Sequence, residues 1–193
     1  MPRYIVGITG ASGSIYLLRL LEELCKLNCQ IYLISTDNGK KVFEHEIGYK
    51  LMDLVQKLNN GSNKIKICNI DDMFSSVASG SFKTDGMIIV PCSMSTVAKL
   101  SHGISDNLLL RASDVMIKEK RKLIVVPRET PLNSIHLKNL LSLSNLNVTI
   151  IPPMPAFYMK PKNINDIVNG TIGRCLDALE IKNHIYSRWK ENE

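Results

Sequence analysis

Long apolar runs are missing from this 193-residue chain. One of the most apolar stretches, Gly86-Met87-Ile88-Ile89-Val90-Pro91-Cys92, is far shorter than the ~20 residues that a bilayer span requires. Met1-Pro2-Arg3 leads into a strand-like run and not into the apolar core of a signal peptide. Aromatic residues are scarce, at 6% with one Trp, and no aromatic-interleaved basic stripe of the nucleic-acid-binding type is present. The five cysteines are an odd number without a CxxC pair. With no secretory signal, reduced thiols in a cytoplasm are the expectation. Cys25 and Cys29 lie one helical turn apart, the spacing of a packed helix face. Internal repeats and low-complexity segments are absent.

What remains is an ordinary globular composition, 45% apolar and 22% charged. A chain of this length buries about 70% of its unfolded surface without a disulfide or metal staple. It fits one domain, here assigned to residues 1–180, with 181–193 as a C-terminal tail. Lys and Arg number 24 against 18 Asp and Glu, a net +6 that suits anionic ligands. The one dense basic run, Lys118-Glu119-Lys120-Arg121-Lys122, reads by itself as a solvated helix end.

Strand and helix patterns alternate along the chain. Strand-like apolar runs fall at 4–8, 30–35, 64–68, 87–91, 123–126 and 148–151. Helical spacing appears at 14–27, at 37–58 with a break at Gly48, and at 95–100, 106–118, 133–145 and 164–179. Asn59-Asn60-Gly61-Ser62-Asn63 and Pro152-Pro153-Met154-Pro155 are loops, and Trp189 falls in a polar tail. Such alternation predicts a single-domain α/β fold: a doubly wound, Rossmann-like parallel sheet with helices on both faces. Ligands in such folds sit at the carboxyl ends of the strands, so the strand-to-loop junctions are where a site is expected.

Three junctions carry chemistry. Gly7-Ile8-Thr9-Gly10-Ala11-Ser12-Gly13 joins a strand to a helix start, where close backbone approach and the helix dipole favour an anion. Its spacing is neither GxGxxG nor a P-loop, so phosphate binding and an ordinary tight turn both fit. Val90-Pro91-Cys92-Ser93-Met94-Ser95-Thr96 gathers hydroxyls that suit helix capping or phosphate binding, and Cys92 reads as a buried, inert thiol. Val125-Val126-Pro127-Arg128-Glu129-Thr130-Pro131 places Arg128 and Glu129 at the functional edge. Before it, Arg111 and Lys118 stand seven residues apart, nearly two turns, and can share a helix face.

Taken with Ala78-Ser79-Gly80-Ser81-Phe82, Leu110-Arg111-Ala112-Ser113-Asp114-Val115, Ile135-His136-Leu137, Pro152-Pro153-Met154-Pro155-Ala156-Phe157-Tyr158, Arg174 and Arg188-Trp189, these segments resemble the UbiX-type flavin prenyltransferases. The resemblance runs from Gly7 to Trp189 and is weakest over 49–72. It implies an enzyme that binds reduced FMN and dimethylallyl monophosphate without a metal. It further implies transfer of the prenyl group to flavin N5 and C6, and delivery of prenylated FMN to a UbiD-type decarboxylase. Homo-oligomers, dodecamers in relatives, with sites at subunit junctions, are implied as well. Older descriptions made such proteins decarboxylases or decarboxylase subunits.

The resemblance also assigns roles. Gly10, Ala11, Ser12, Ser35, Ser93, Met94, Ser95, Thr96 and Arg128 match the FMN contacts. Arg111, Lys118, Tyr158 and Arg174 match the residues around the substrate phosphate. Lys118, Glu129 and Glu46 match catalytic positions, with Glu129 orienting Lys118 or passing a proton to phosphate, and Glu46 collecting the proton lost on ring closure. Asp37-Asn38-Gly39 departs from the small apolar residues common in relatives, which leaves the choice between Ser35 and Thr36 open. Two alternatives share the fold or the flavin. A cysteine-type decarboxylase would carry Pro-Ala-Met-Asn where this chain has Pro153-Met154-Pro155-Ala156-Phe157-Tyr158. A non-catalytic flavin carrier would not need Lys118, Glu129, Tyr158 and Arg174 together.

Overall fold

A computed structural model describes residues 1–189. Six strands form one wholly parallel sheet: β1 (Arg3–Ile8), β2 (Gln30–Ser35), β3 (Ile65–Cys68), β4 (Gly86–Cys92), β5 (Leu123–Pro127) and β6 (Thr149–Ile150). Their order is β3-β2-β1-β4-β5-β6. The direction of winding reverses between β1 and β4, which is the switch point where ligands bind in doubly wound sheets. The helices are α1 (Ser14–Cys25), α2 (Asp37–Ile47), α3 (Leu51–Asn59), α4 (Met94–Ser101), α5 (Leu108–Lys118), α6 (Ser134–Asn145) and α7 (Ile164–Ala178).

Strand alternation sorts the apolar residues into two cores. From β1, Tyr4, Val6 and Ile8 join Leu17, Leu21, Leu24, Ile172 and Leu176 of α1 and α7 on one face. Ile5 points the other way, into a cluster with Val97, Leu109, Met116 and Leu143 of α4, α5 and α6. Successive side chains on a strand leave on opposite faces, so a strand buried on both faces must be apolar throughout. That is why β4 is buried at every position.

Side-chain caps fix where helices begin. Thr36, Ser93, Asn107, Asn133 and Asn163 each accept a hydrogen bond from the amide three residues on. α2 stops at Gly48, whose φ of 87° suits glycine. The expected break at Gly48 is therefore present, and the run 37–58 becomes two helices. The last strand is shorter than its apolar run suggested, because only Thr149 and Ile150 pair with β5. Two short 3-10 turns, Ser76–Ala78 and Phe157–Met159, were not anticipated. Nor is the segment after α7 a free tail: Trp189 packs edge-on against Tyr158, with ring centroids 5.4 Å apart. Among the described residues no helix is long and apolar enough to cross a membrane.

Candidate functional site

The switch point is knotted together by one hydroxyl. Thr9, just past β1 and fully buried, donates from Oγ1 to the carbonyl of Pro91 at 3.0 Å. The same oxygen accepts from the amide of Ser93 at 2.7 Å. The glycine turn after β1 and the hydroxyl-rich turn after β4 are thereby held side by side. Sequence reasoning missed Thr9, whose neighbours alone attracted notice.

Between the two turns lies a cavity of about 380 Å³. Gly10, Ser93, Ser95 and Thr96 line it, as expected, and Leu109 and Leu110 supply apolar surface. Thr36, Asn38, Lys99 and Asn107 line it too. Of these, Thr36 is one half of the open choice: it lines this cavity, whereas Ser35 lines a separate one with Lys40, Leu51 and Ile67. Met94 is buried in the apolar core below α4. Ala11 is buried within the turn, and a side chain at Gly10 would place its Cβ 2.8 Å from that of Asn38. The turn has room only for glycine there. Arg128, beyond β5, donates from Nε to the carbonyl of Ser12 at 3.1 Å, which brings it to the same turn. Cys92 is wholly buried, and burial pushes its thiol far above the usual range, so it is no nucleophile.

The donor set suits FMN. Amides at the start of α4, several hydroxyls and one guanidinium can take a phosphate and a polyol, while the leucines offer an apolar wall.

Glu46, near the end of α2, reaches the start of α1. Its carboxylate accepts from the amide of Gly13 at 3.0 Å and from that of Ser14 at 2.7 Å. No side chain of α1's own cap performs this task. Partial burial pushes the carboxyl upward, but the Ser12 hydroxyl and the Ser14 and Gly13 amides together outweigh it and hold its pKa below the usual range. Glu46 is thus an ionised acceptor at neutral pH.

A second cavity, about 540 Å³, opens between β6 and α7. Tyr158 and Arg174 both line it, together with Asp177 and Tyr186. Two of the four residues expected around a substrate phosphate therefore line one cavity of one chain.

Arg111 and Lys118 do share a face of α5, and both meet the segment around Gly80. Arg111 donates to the carbonyl of Ala78 at 3.2 Å and pairs with Asp114 at 2.8 Å. A Cβ at Gly80 would lie 2.7 Å from the Lys118 ammonium. Lys118 itself pairs with Glu119. The chain does not bring it to Glu129, whose exposed carboxylate instead accepts from the Thr130 amide at 3.1 Å. The reason lies in the topology: α5 ends where β5 begins, and Glu129 follows the opposite end of β5. Among the described residues no group of three or more His, Cys, Asp and Glu side chains is placed to hold a metal ion.

Comparison with known proteins gives the family. The family model described as Flavoprotein matches residues 1–176. A flavin prenyltransferase UbiX from Methanocaldococcus jannaschii is 46% identical, over 97% of this chain and 98% of its own. Among solved structures, AnUbiX in complex with FMN and dimethylallyl pyrophosphate superimposes with a TM-score of 0.92 at 38% identity, covering 100% of this chain and 99% of its own. A dodecameric FMN-dependent UbiX-like decarboxylase from Escherichia coli O157:H7 gives 0.91 at 41% identity, covering 97% and 99%. With near-complete coverage in both directions and identity well above 30%, the chain belongs to the UbiX-type flavin prenyltransferases of the Flavoprotein family.

Proposed function

We propose that this chain joins the dimethylallyl group of dimethylallyl monophosphate to N5 and C6 of reduced FMN, releasing phosphate. Prenylated FMN then passes to a UbiD-type decarboxylase in the cytoplasm. The observation that carries the reading is the coexistence of two cavities. One is an FMN-shaped donor set at the switch point; the other is lined by Tyr158 and Arg174 beside α7.

Reduced flavin supplies the electron-rich N5 and C6 that take the prenyl carbons. The chain's residues do the rest. Gly10, Ser12, Ser93, Ser95, Thr96 and Arg128 hold FMN, and Thr36 takes the hydroxyl role first given to Ser35. When the C1–O bond of the donor breaks, its electron pair leaves with phosphate. Tyr158, Arg174 and Lys118, with Arg111 beside it, answer that charge; fixed donors of this kind stabilise charge in the transition state at no reorganisation cost. Glu129 passes a proton to the leaving phosphate. The Glu46 carboxylate, already ionised, accepts the proton shed on ring closure and, with its low pKa, passes it on to solvent.

Lys118 reaches this chemistry in a neighbouring copy. Ten residues of α5, about 15 Å of helix, separate it from Leu108 at the carboxyl edge of the sheet. A homododecamer with sites at subunit junctions accounts for that placement.

Anaerobic incubation with reduced FMN and dimethylallyl monophosphate, followed by mass spectrometry of the flavin, tests the reading. One added C5H8 unit is expected, with the monophosphate outpacing the pyrophosphate. Unmodified FMN from both donors refutes it.

A further inference from the structure

The segment that follows α7 turns back and is held by a single carboxylate. Asp177, in the last turn of α7, accepts from both terminal nitrogens of Arg188, at 2.6 and 2.8 Å. It also accepts from the Tyr186 hydroxyl at 2.6 Å and from the side-chain amide of Asn183 at 2.9 Å. Three residues spread over the returning segment thus converge on one side chain, and none is a neighbour of Asp177 in sequence. Bidentate pairing with a guanidinium fixes direction as well as distance.

What those bonds position faces the α7 cavity. The Tyr186 ring packs against Gly173, where a Cβ would stand only 2.0 Å from the ring. Tyr186 lines the same cavity as Arg174, Tyr158 and Asp177. Burial and then the hydrogen bond to Asp177 raise the phenol's pKa, while the hydrogen bond with Arg174 opposes them, so Tyr186 touches both the carboxylate and the guanidinium. One residue past Arg188, Trp189 meets Tyr158 at 88°. Each of the two cavity residues read as substrate contacts is therefore touched by a residue of the returning segment.

We propose that Asp177 is a positioning residue: by clamping residues 183–188 it sets Tyr186 beside Arg174 and Trp189 against Tyr158, and so preshapes the α7 cavity for a phosphate monoester. This deepens the prenyltransferase reading and rests on it for the identity of the ester. Asp177 itself touches neither ester nor flavin; an anion there would repel phosphate were its charge not consumed by Arg188.

Trp189 is the chain's one tryptophan, so its emission reports the segment directly. The test compares the parent chain, Asp177→Asn, Asp177→Glu and Tyr186→Phe. Dimethylallyl monophosphate is titrated against Trp189 emission, FMN against its own fluorescence, and KM and kcat are measured for prenyl transfer. Asp177→Asn should shift Trp189 emission to the red and weaken monophosphate binding about tenfold. KM should rise by the same factor with kcat within about twofold, and FMN affinity should not change. Asp177→Glu should recover part of the binding, and Tyr186→Phe should weaken it without moving the emission. A red shift with unchanged monophosphate affinity overturns the proposal, as does an equal loss of FMN binding, which would signal general unfolding. If the parent binds the monophosphate but never modifies FMN, the prenyltransferase reading fails while the positioning role stands.

Discussion

If Lys118 serves a neighbour's site, two defective chains should repair each other. Lys118 and Arg128 lie on either side of β5, which runs from Leu123 to Pro127. Five strand residues span about 16 Å, so within one chain the two side chains start from opposite edges of the sheet. Lys118→Ala removes a cation from developing phosphate charge, worth about 10²–10³ in rate. Arg128→Ala removes a guanidinium from the flavin cradle and lowers activity at limiting FMN. Each parent is nearly inactive under that condition. Co-expression with two different tags and tandem purification yields mixed assemblies. A site is whole only when its Arg128 comes from the lysine variant and its Lys118 from the arginine variant, which random mixing gives in about one quarter of sites. Mixed assemblies should therefore regain about 25% of wild-type turnover at low FMN, far above either variant. Activity no higher than the parents' average would show that both residues act in one chain. Full activity of Lys118→Ala alone would remove it from the mechanism.

Two further substitutions probe the scaffold around the site. Gly173→Ala forces a Cβ to 2.0 Å from the Tyr186 ring, and overpacking of that kind costs about 1–3 kcal/mol, read as a melting temperature several degrees lower. An unchanged melting curve would mean that the Tyr186 ring is easily displaced. Glu46→Gln keeps the shape at the start of α1 but loses the charge. The Glu46 pKa is lowered in the folded chain, so its contribution is present above the unfolded value of about 4.3 and disappears as pH falls through the folded value. Glu46→Gln should melt below the parent at pH 7 and converge with it in acid; a gap that persists in acid would refute the assignment.

Periodicity made the sheet legible because β1 and β4 are apolar at consecutive positions, which only two covered faces explain. The glycine and serine turns were legible because turn chemistry is local. Facing was not. Ser35 and Thr36 differ by one position, and at a strand end one position is the difference between opposite faces. Thr36 also caps α2, which aims its hydroxyl inward at the turn. Thr9 escaped notice because its value lies in a bond across 84 residues to Ser93. The tail read only as polar. Its polarity is instead spent on Asp177, a carboxylate that no spacing rule links to Tyr186 and Arg188.

Lys118 and Glu129 show the converse, residues close in sequence that the single chain does not pair. Eleven positions separate them, but those positions contain all of β5, and a strand carries its two ends to opposite edges of a sheet. In one chain the Lys118 cation therefore leaves from the amino edge of the sheet and Arg128 from the carboxyl edge. Under the proposed use of Lys118 by a neighbouring copy, assembly would bring the two edges together. Within the single chain, Lys118 waits on Glu119, and both side chains remain partly exposed to water. Solvent screening makes such a surface pair weak, so exchanging it for a neighbour's phosphate costs little. The pair holds the lysine toward Gly80 without locking it, which is compatible with the proposed use of Lys118 by a neighbouring copy.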